Sequence, residues 1–192
     1  INAGSSSVKY HLYVMPQAQV IAKGEVERIG EPQARLTHSS HGETYESQVE
    51  AAEVSEALSL VFDTLVRADV GVLDDITEIG AVGHRVVHGG DRFRSSVLID
   101  DRVLAAIEAC NDLAPLHNPQ SVSGIRTARK ILGPAIPMAA VFDTSFHHTL
   151  PEYASIYAIP YELSLRHRIR RYGFHGLAHR YLSLRYGEVT QR

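Results

Sequence analysis

A single cysteine, Cys110, rules out any disulfide within the chain, and no run of residues is long and apolar enough to span a membrane. Neither sign of charge dominates: 19 basic residues stand against 22 acidic ones, with a sequence pI near 6.4. Such a balance gives no overall field to gather nucleic acid or anionic lipid. Nothing at the start resembles a signal peptide, so a cytoplasmic protein without a membrane or nucleic-acid partner is expected. Several catalytic patterns are missing as well. There is no Gly-x-x-x-x-Gly-Lys-Ser/Thr loop, no His-Glu-x-x-His helix, no Gly-x-Ser-x-Gly elbow and no internal repeat. The eleven histidines form three close pairs, His84/His88, His147/His148 and His175/His179. They lack the acidic or thiol neighbours of a zinc site.

What is present is 192 residues with 44% apolar content, enough for one large domain or for one domain and part of another. Ile1 opens the chain without an initiator methionine, and a fragment of a longer protein is expected. After a turn over Asn2 to Ser7, the runs from Val8 to Val14, Val20 to Ile29 and Ala34 to Thr37 have β character, with Gly42 to Val49 a weaker strand. The first third reads as an antiparallel meander. Val54, Leu58, Val61 and Leu65 then fall at helical spacing, widened by Ala57 and Phe62 and stopped by Gly71. A strand from Ile79 to His88, a helix from Asp101 to Asn111, and a second helix capped by Asn118 with Pro119 behind it follow. The short apolar run Met138 to Phe142 delivers Asp143 at its tip, in the manner of a buried strand. This order of elements predicts an α/β domain with a mixed sheet.

Gly83-His84-Arg85-Val86-Val87-His88-Gly89-Gly90 is the most informative segment. Side chains alternate along a strand, so Arg85 and Val87 share one face while His84, Val86 and His88 share the other. A guanidinium beside a small apolar wall suits a short carboxylate with an alkyl tail, and the double glycine lets a ligand approach the backbone. The alternative is a strand whose arginine forms a structural ion pair.

Four other segments carry chemistry. Asn2-Ala3-Gly4-Ser5-Ser6-Ser7-Val8-Lys9 can present amides and hydroxyls to phosphate, or is a serine-rich turn. Leu113 to Pro119 sets His117 ahead of a helix start, where it can hold an anion or brace the cap. Ala140 to His148 places Asp143 at a strand end, where α/β folds hold ligands. Arg171-Tyr172-Gly173-Phe174-His175-Gly176 sets a histidine between glycines ahead of a helix over Leu177 to Arg185. From Leu163 to Arg192 several arginines face the single acid Glu188, a patch read as a solvated or subunit-facing surface.

Taken together, these five motifs, spread in order from residue 2 to 176, resemble the acetate kinase family. Propionate kinases share nearly all of them. The resemblance implies the duplicated βββαβαβα architecture of the actin, sugar kinase and Hsp70 superfamily, a ribonuclease H-like α/β fold with two domains around a cleft, as a homodimer. It covers the chain but only about half of the family's length, with residues 1–143 as a first domain and 144–192 opening a second. The phosphate and adenosine loops, a second arginine and a magnesium-binding glutamate would lie outside. Asp91 stands where the family more often has glutamate.

Residue by residue, the resemblance implies Asn2 at a Mg²⁺ site (Mn²⁺ as an alternative) and Lys9, Ser5 and Ser7 near the phosphates of ATP or ADP. It places Arg85 on the substrate, Asp143 as the catalytic carboxylate, and His175 on the transferring phosphoryl group with His117 close by. Val87, Leu116 and Phe174 would line the pocket for the methyl group. The implied reaction is ATP + acetate ⇌ ADP + acetyl phosphate, with propionate as an alternative acid. A carboxylate substrate, with a pKa of roughly 4 to 5, is already ionised at neutral pH and needs no base. Asp143 is therefore expected to order metal-bound water or substrate. A reading of another class is a non-catalytic fragment that dimerises or binds a ligand without turning it over.

Overall fold

The computed structural model describes residues 1–191. Its first third is the expected meander. Strands β1 (Asn2–Ala3), β2 (Ser7–Val14), β3 (Gln19–Glu27), β4 (Ala34–Ser40) and β5 (Glu43–Val49) pair antiparallel in sequential order. The segment read as a turn from Asn2 thus opens with a short strand, in which Asn2 pairs opposite Lys9.

Beyond the meander, β6 (Val82–Val86) pairs parallel to β8 (Met138–Phe142), and β7 (Val97–Leu98) pairs antiparallel on the far side of β8. The expectation of one mixed sheet is met in two ladders that the first residue stitches together. Ile1 N–H donates to Gly83 O at 2.8 Å and Ile1 O accepts from Arg85 N–H at 3.0 Å, the alternation of a parallel pair. β1 therefore lies between β2 and β6 and brings Asn2 beside Arg85.

Helix α1 (Val54–Leu65) lays the predicted stripe on the sheet: Val54, Ala57, Leu58, Val61, Phe62 and Leu65 are buried. It ends six residues before Gly71, whose N–H instead closes a turn onto Arg67 O at 2.8 Å. Each fully buried Leu, Val or Phe in such a stripe contributes roughly 1.5–3 kcal/mol. The following loop is tied down by a buried polar pair. His38 Nε2 donates to Val70 O at 2.9 Å, so its Nδ1 is bare and accepts from the Tyr10 hydroxyl. Burial raises the Tyr10 hydroxyl well above its ordinary value and lowers His38, which keeps both uncharged.

Helix α2 (Asp101–Glu108) is capped by Asp100, which accepts from Val103 N–H at 2.7 Å; it is shorter than expected and gives way to a 3₁₀ turn at Asn111–Leu113. Helix α3 (Asn118–Leu132) packs on α1, α2, β1 and β6. Asn118 was expected to cap α3, and the structure corrects this. His117 holds the cap position without a side-chain cap bond, and Asn118 is the first helical residue, fully buried, with its amide turned onto the backbone of His88.

After Asp143 come a 3₁₀ turn (Ser145–His147) and helices α4 (Glu152–Ser155), α5 (Tyr161–His167) and α6 (Gly176–Thr190). This part exposes much apolar surface. Tyr153, Leu165, Tyr181, Leu182, Leu184, Tyr186 and Val189 are each 60% exposed or more.

Candidate active site

Three residues from three strands converge at one edge of the joined sheet. Arg85 projects from β6 and Asp143 stands one residue past β8, whose Val141 is the register partner of Arg85. Asp143 receives the guanidinium side-on, from Nε at 3.1 Å and Nη2 at 2.6 Å. From β1, the Asn2 carbonyl oxygen accepts from Nη1 at 3.1 Å. The bidentate grip expected for a ligand is thus made on Asp143, as in the ion-pair alternative. Of the five N–H groups of a guanidinium, three are engaged in this way. Among the described residues the other two have no acceptor, and the Arg85 side chain remains 32% exposed while Asp143 is 2% exposed. The hydrogen bonds to Asp143 raise the Arg85 pKa above its already high ordinary value, so its charge is fixed.

The loop that carries His175 is pressed onto this corner. Gly176 N–H donates to Asp143 O at 2.9 Å, and a Cβ on Gly176 would lie 2.1 Å from that same oxygen. Gly173 has φ +73°, and a Cβ there would meet the His147 ring at 2.4 Å; His147 Nε2 donates to Phe174 O at 3.0 Å. The close approach expected from the flanking glycines is therefore met. His175 precedes α6 in a left-handed conformation (φ 53°), which costs a residue with a Cβ about 1 kcal/mol or more, and its side chain is exposed.

The remaining predicted residues are spread out. Lys9 is exposed and pairs with Glu25 at 2.8 Å, an ion pair whose hydrogen bond raises the lysine pKa. It joins Asn2, Tyr10, Lys23, Thr37 and Ser39 in lining an open cleft of ≈ 560 Å³ along the meander. Ser5 is exposed in the turn that Gly4 N–H closes onto Ser7 O at 2.8 Å, and Ser7 begins β2. Val87 is half-buried, Phe174 is 44% exposed, and Leu116 and His117 stand out in solvent on the approach to α3, Leu116 at 72% exposure. Val87, Leu116 and Phe174 therefore do not form a closed pocket here. Among the described residues, no group of three or more His, Cys, Asp or Glu side chains is placed to hold a metal ion.

Two residues were missed as parts of this corner. Asn118 clamps His88, and Thr144 Oγ1 accepts from Gly89 N–H at 3.1 Å, holding the double glycine against the tip of β8. An asparagine before proline carried a signal, but it was the signal of a helix cap.

The family model described as the acetokinase family matches residues 1–192. The chain belongs to this acetokinase family. An acetate kinase of Thermoanaerobacter pseudethanolicus is 52% identical over 193 residues, covering 100% of this chain and 48% of that protein. Among solved structures, the acetate kinase of Porphyromonas gingivalis superposes with a TM-score of 0.92 at 43% identity, covering 99% of this chain and 48% of that one. The propionate kinase of Francisella tularensis superposes at 0.90 with 39% identity, covering 100% and 48%. The acetokinase chain described here thus spans about half the length of the relatives it matches. Its joined sheet, with helices packed against it, has the actin-like α/β architecture that the motifs implied.

Proposed function

We propose that this chain is part of an acetate kinase, catalysing ATP + acetate ⇌ ADP + acetyl phosphate. Residues 1–143 would form its first domain and 144–192 the start of its second. The observation that carries the reading is the convergence of Asn2, Arg85 and Asp143 from three strands, in a chain half identical to acetate kinases. Direct in-line transfer spreads charge over the equatorial phosphoryl oxygens, and fixed cations stabilise it. Arg85 supplies such a cation, and Asp143 holds its plane at a set angle. The free edge of the fork faces the space where a carboxylate or phosphoryl oxygen would be bound. His175, exposed beside that corner, would donate from its ring to the same group.

Asn2 and Asp143 offer oxygen donors only, and only two side chains. That fits Mg²⁺, which is commonly held by one or two protein oxygens together with waters and substrate phosphates. When bound, the ion would neutralise phosphate charge; Asn2 and Asp143 would hold it while Asp143 continues to orient Arg85. Lys9 and the hydroxyls of Ser5 and Ser7 would meet the nucleotide phosphates from the neighbouring turn.

The exposed apolar side chains of α5 and α6 support a surface that is covered in the whole protein, as a homodimer with a completed second domain would do. Propionate stands as the second substrate reading, supported by the TM-score of 0.90 to a propionate kinase. The test is a hydroxylamine trapping assay on the protein extended to its relatives' full length. ATP- and acetate-dependent acyl hydroxamate is expected, and its absence with both acetate and propionate would overturn the reading.

A further inference from the structure

His88 lies two residues past the end of β6, is 2% exposed, and takes no part in the chemistry proposed above. It is nonetheless tightly held, in both main chain and ring. Its main chain is held on both sides by one amide: Asn118 Oδ1 accepts from His88 N–H at 3.0 Å, and Asn118 Nδ2 donates to His88 O at 2.9 Å. The ring is fixed as well. His88 Nδ1 accepts from Gly90 N–H at 2.9 Å, so the proton of the neutral ring sits on Nε2. Burial, with the Arg168 charge adding to it, holds His88 down at about 4, so the ring stays neutral near pH 7. The outer part of this fixed ring meets two aromatic rings edge-on: Tyr172, centroids 4.4 Å apart at 68°, and Phe174, 5.6 Å apart at 67°.

We infer that His88 is a positioning residue for substrate size: its clamped imidazole backs Phe174 and so sets how much room an acyl tail has beside Val87. This rests on the kinase reading, which makes Val87 and Phe174 walls of the acyl pocket. Three particulars carry it. Val87 is joined directly to the clamped residue, so the clamp fixes one wall. Phe174 is 44% exposed, so the contact with His88 is a main support of the other. Phe174 also has no freedom to drift along its own segment, because His147 holds its carbonyl and Gly176, two residues on, is bonded to Asp143 O. Removing the backing therefore lets the ring fall away from the pocket while the loop stays docked.

The experiment uses the full-length protein and His88→Asn. An asparagine Oδ1 can replace Nδ1 as acceptor for Gly90 N–H, while the ring edge under Tyr172 and Phe174 is lost. The ratio of kcat/KM for propionate to that for acetate is expected to rise about tenfold, the scale of one methylene accommodated in an apolar pocket. A ratio within twofold of the parent in a folded variant overturns the inference, because a merely structural residue lowers both substrates alike. Should His88→Asn not fold, His88→Gln, which keeps more of the volume, is judged by the same ratio. A second readout needs no turnover: 4-fluorophenylalanine at position 174 should show a shifted ¹⁹F resonance in the variant. An unmoved resonance overturns the backing itself, whereas a moved one in a protein inactive on any short acid supports the backing and counts against the kinase reading alone.

Discussion

Arg85 and Asp143, 58 residues apart in sequence, meet through two hydrogen bonds of 3.1 and 2.6 Å across adjacent parallel strands. The pairing is a consequence of register: Val86 faces Phe142 in the ladder, so the side chain just before it and the one just after the partner reach the same edge. A third strand adds Asn2 through the remaining nitrogen at 3.1 Å. One planar cation therefore holds two oxygen-bearing side chains at fixed angles and keeps an open edge.

That geometry predicts that Arg85→Lys in the full-length protein loses most activity although the charge is kept. A single ammonium cannot bond both oxygens of Asp143 and Asn2 while facing a ligand. A fall of about 10²–10³ in kcat/KM for acetate is expected, the usual cost of a lost transition-state contact. Unchanged steady-state constants would show that the arginine only pins Asp143.

Much of this corner was legible in the sequence, and the reason is strand periodicity. Alternation set Arg85 on the side of β6 away from the buried His84 and Val86, although the strand stops at Val86, one residue short of the expected partner Val87, and the five-residue apolar run ending at Phe142 placed Asp143 at a strand tip. The stripe of α1 was legible from its own, helical, periodicity. What sequence could not show was which groups would meet. Whether Arg85 binds a ligand or a carboxylate depends on a partner 58 residues away. Asn118 illustrates the limit: Asn-Pro has the local chemistry of a cap, but tertiary contact with the His88 backbone took its amide instead. The junction of the two ladders through Ile1 was likewise hidden, since two residues of strand carry no periodicity.

Gly176→Ala should damage the site from a distance. The added Cβ would lie 2.1 Å from Asp143 O, a backbone atom on the strand end that holds the ion pair, and 2.8 Å from Phe146 Cβ. Relief requires the loop to lift, which breaks the bond from Gly176 N–H and moves His175. Overpacking of this kind costs about 1–3 kcal/mol. Urea unfolding should show that loss together with a drop of at least tenfold in kcat. Wild-type stability and turnover would mean that the loop is free to move.

The 192-residue chain by itself is expected to make no acyl phosphate. It spans 48% of its acetate kinase relatives, and its last 40 residues leave large apolar side chains in water. Detection of ATP- and acetate-dependent hydroxamate above a blank, from a preparation shown by mass to be free of longer chains, would sink this prediction.

Acid should loosen the sheet around β6 through His84. The ring is 2% exposed, its Nε2 has no hydrogen-bond partner among the described residues, and burial holds it down at about 3. An unfolded histidine takes up its proton near pH 6.5, whereas this folded one does not until far lower. Stability is therefore complete above about pH 6.5 and falls as the pH drops from there towards 3, by about 1.4 kcal/mol per pH unit for this one group. His84→Leu, similar in volume and without a proton to gain, should cost less than about 1.5 kcal/mol at pH 7.5. Between pH 7.5 and pH 5 the variant should gain about 2 kcal/mol on the parent in urea unfolding, since only the parent's unfolded state is stabilised by protonation at position 84. A gap between the two that does not change with pH would show that His84 can be protonated in the folded protein, with its ring turned to an acceptor that the present packing does not provide.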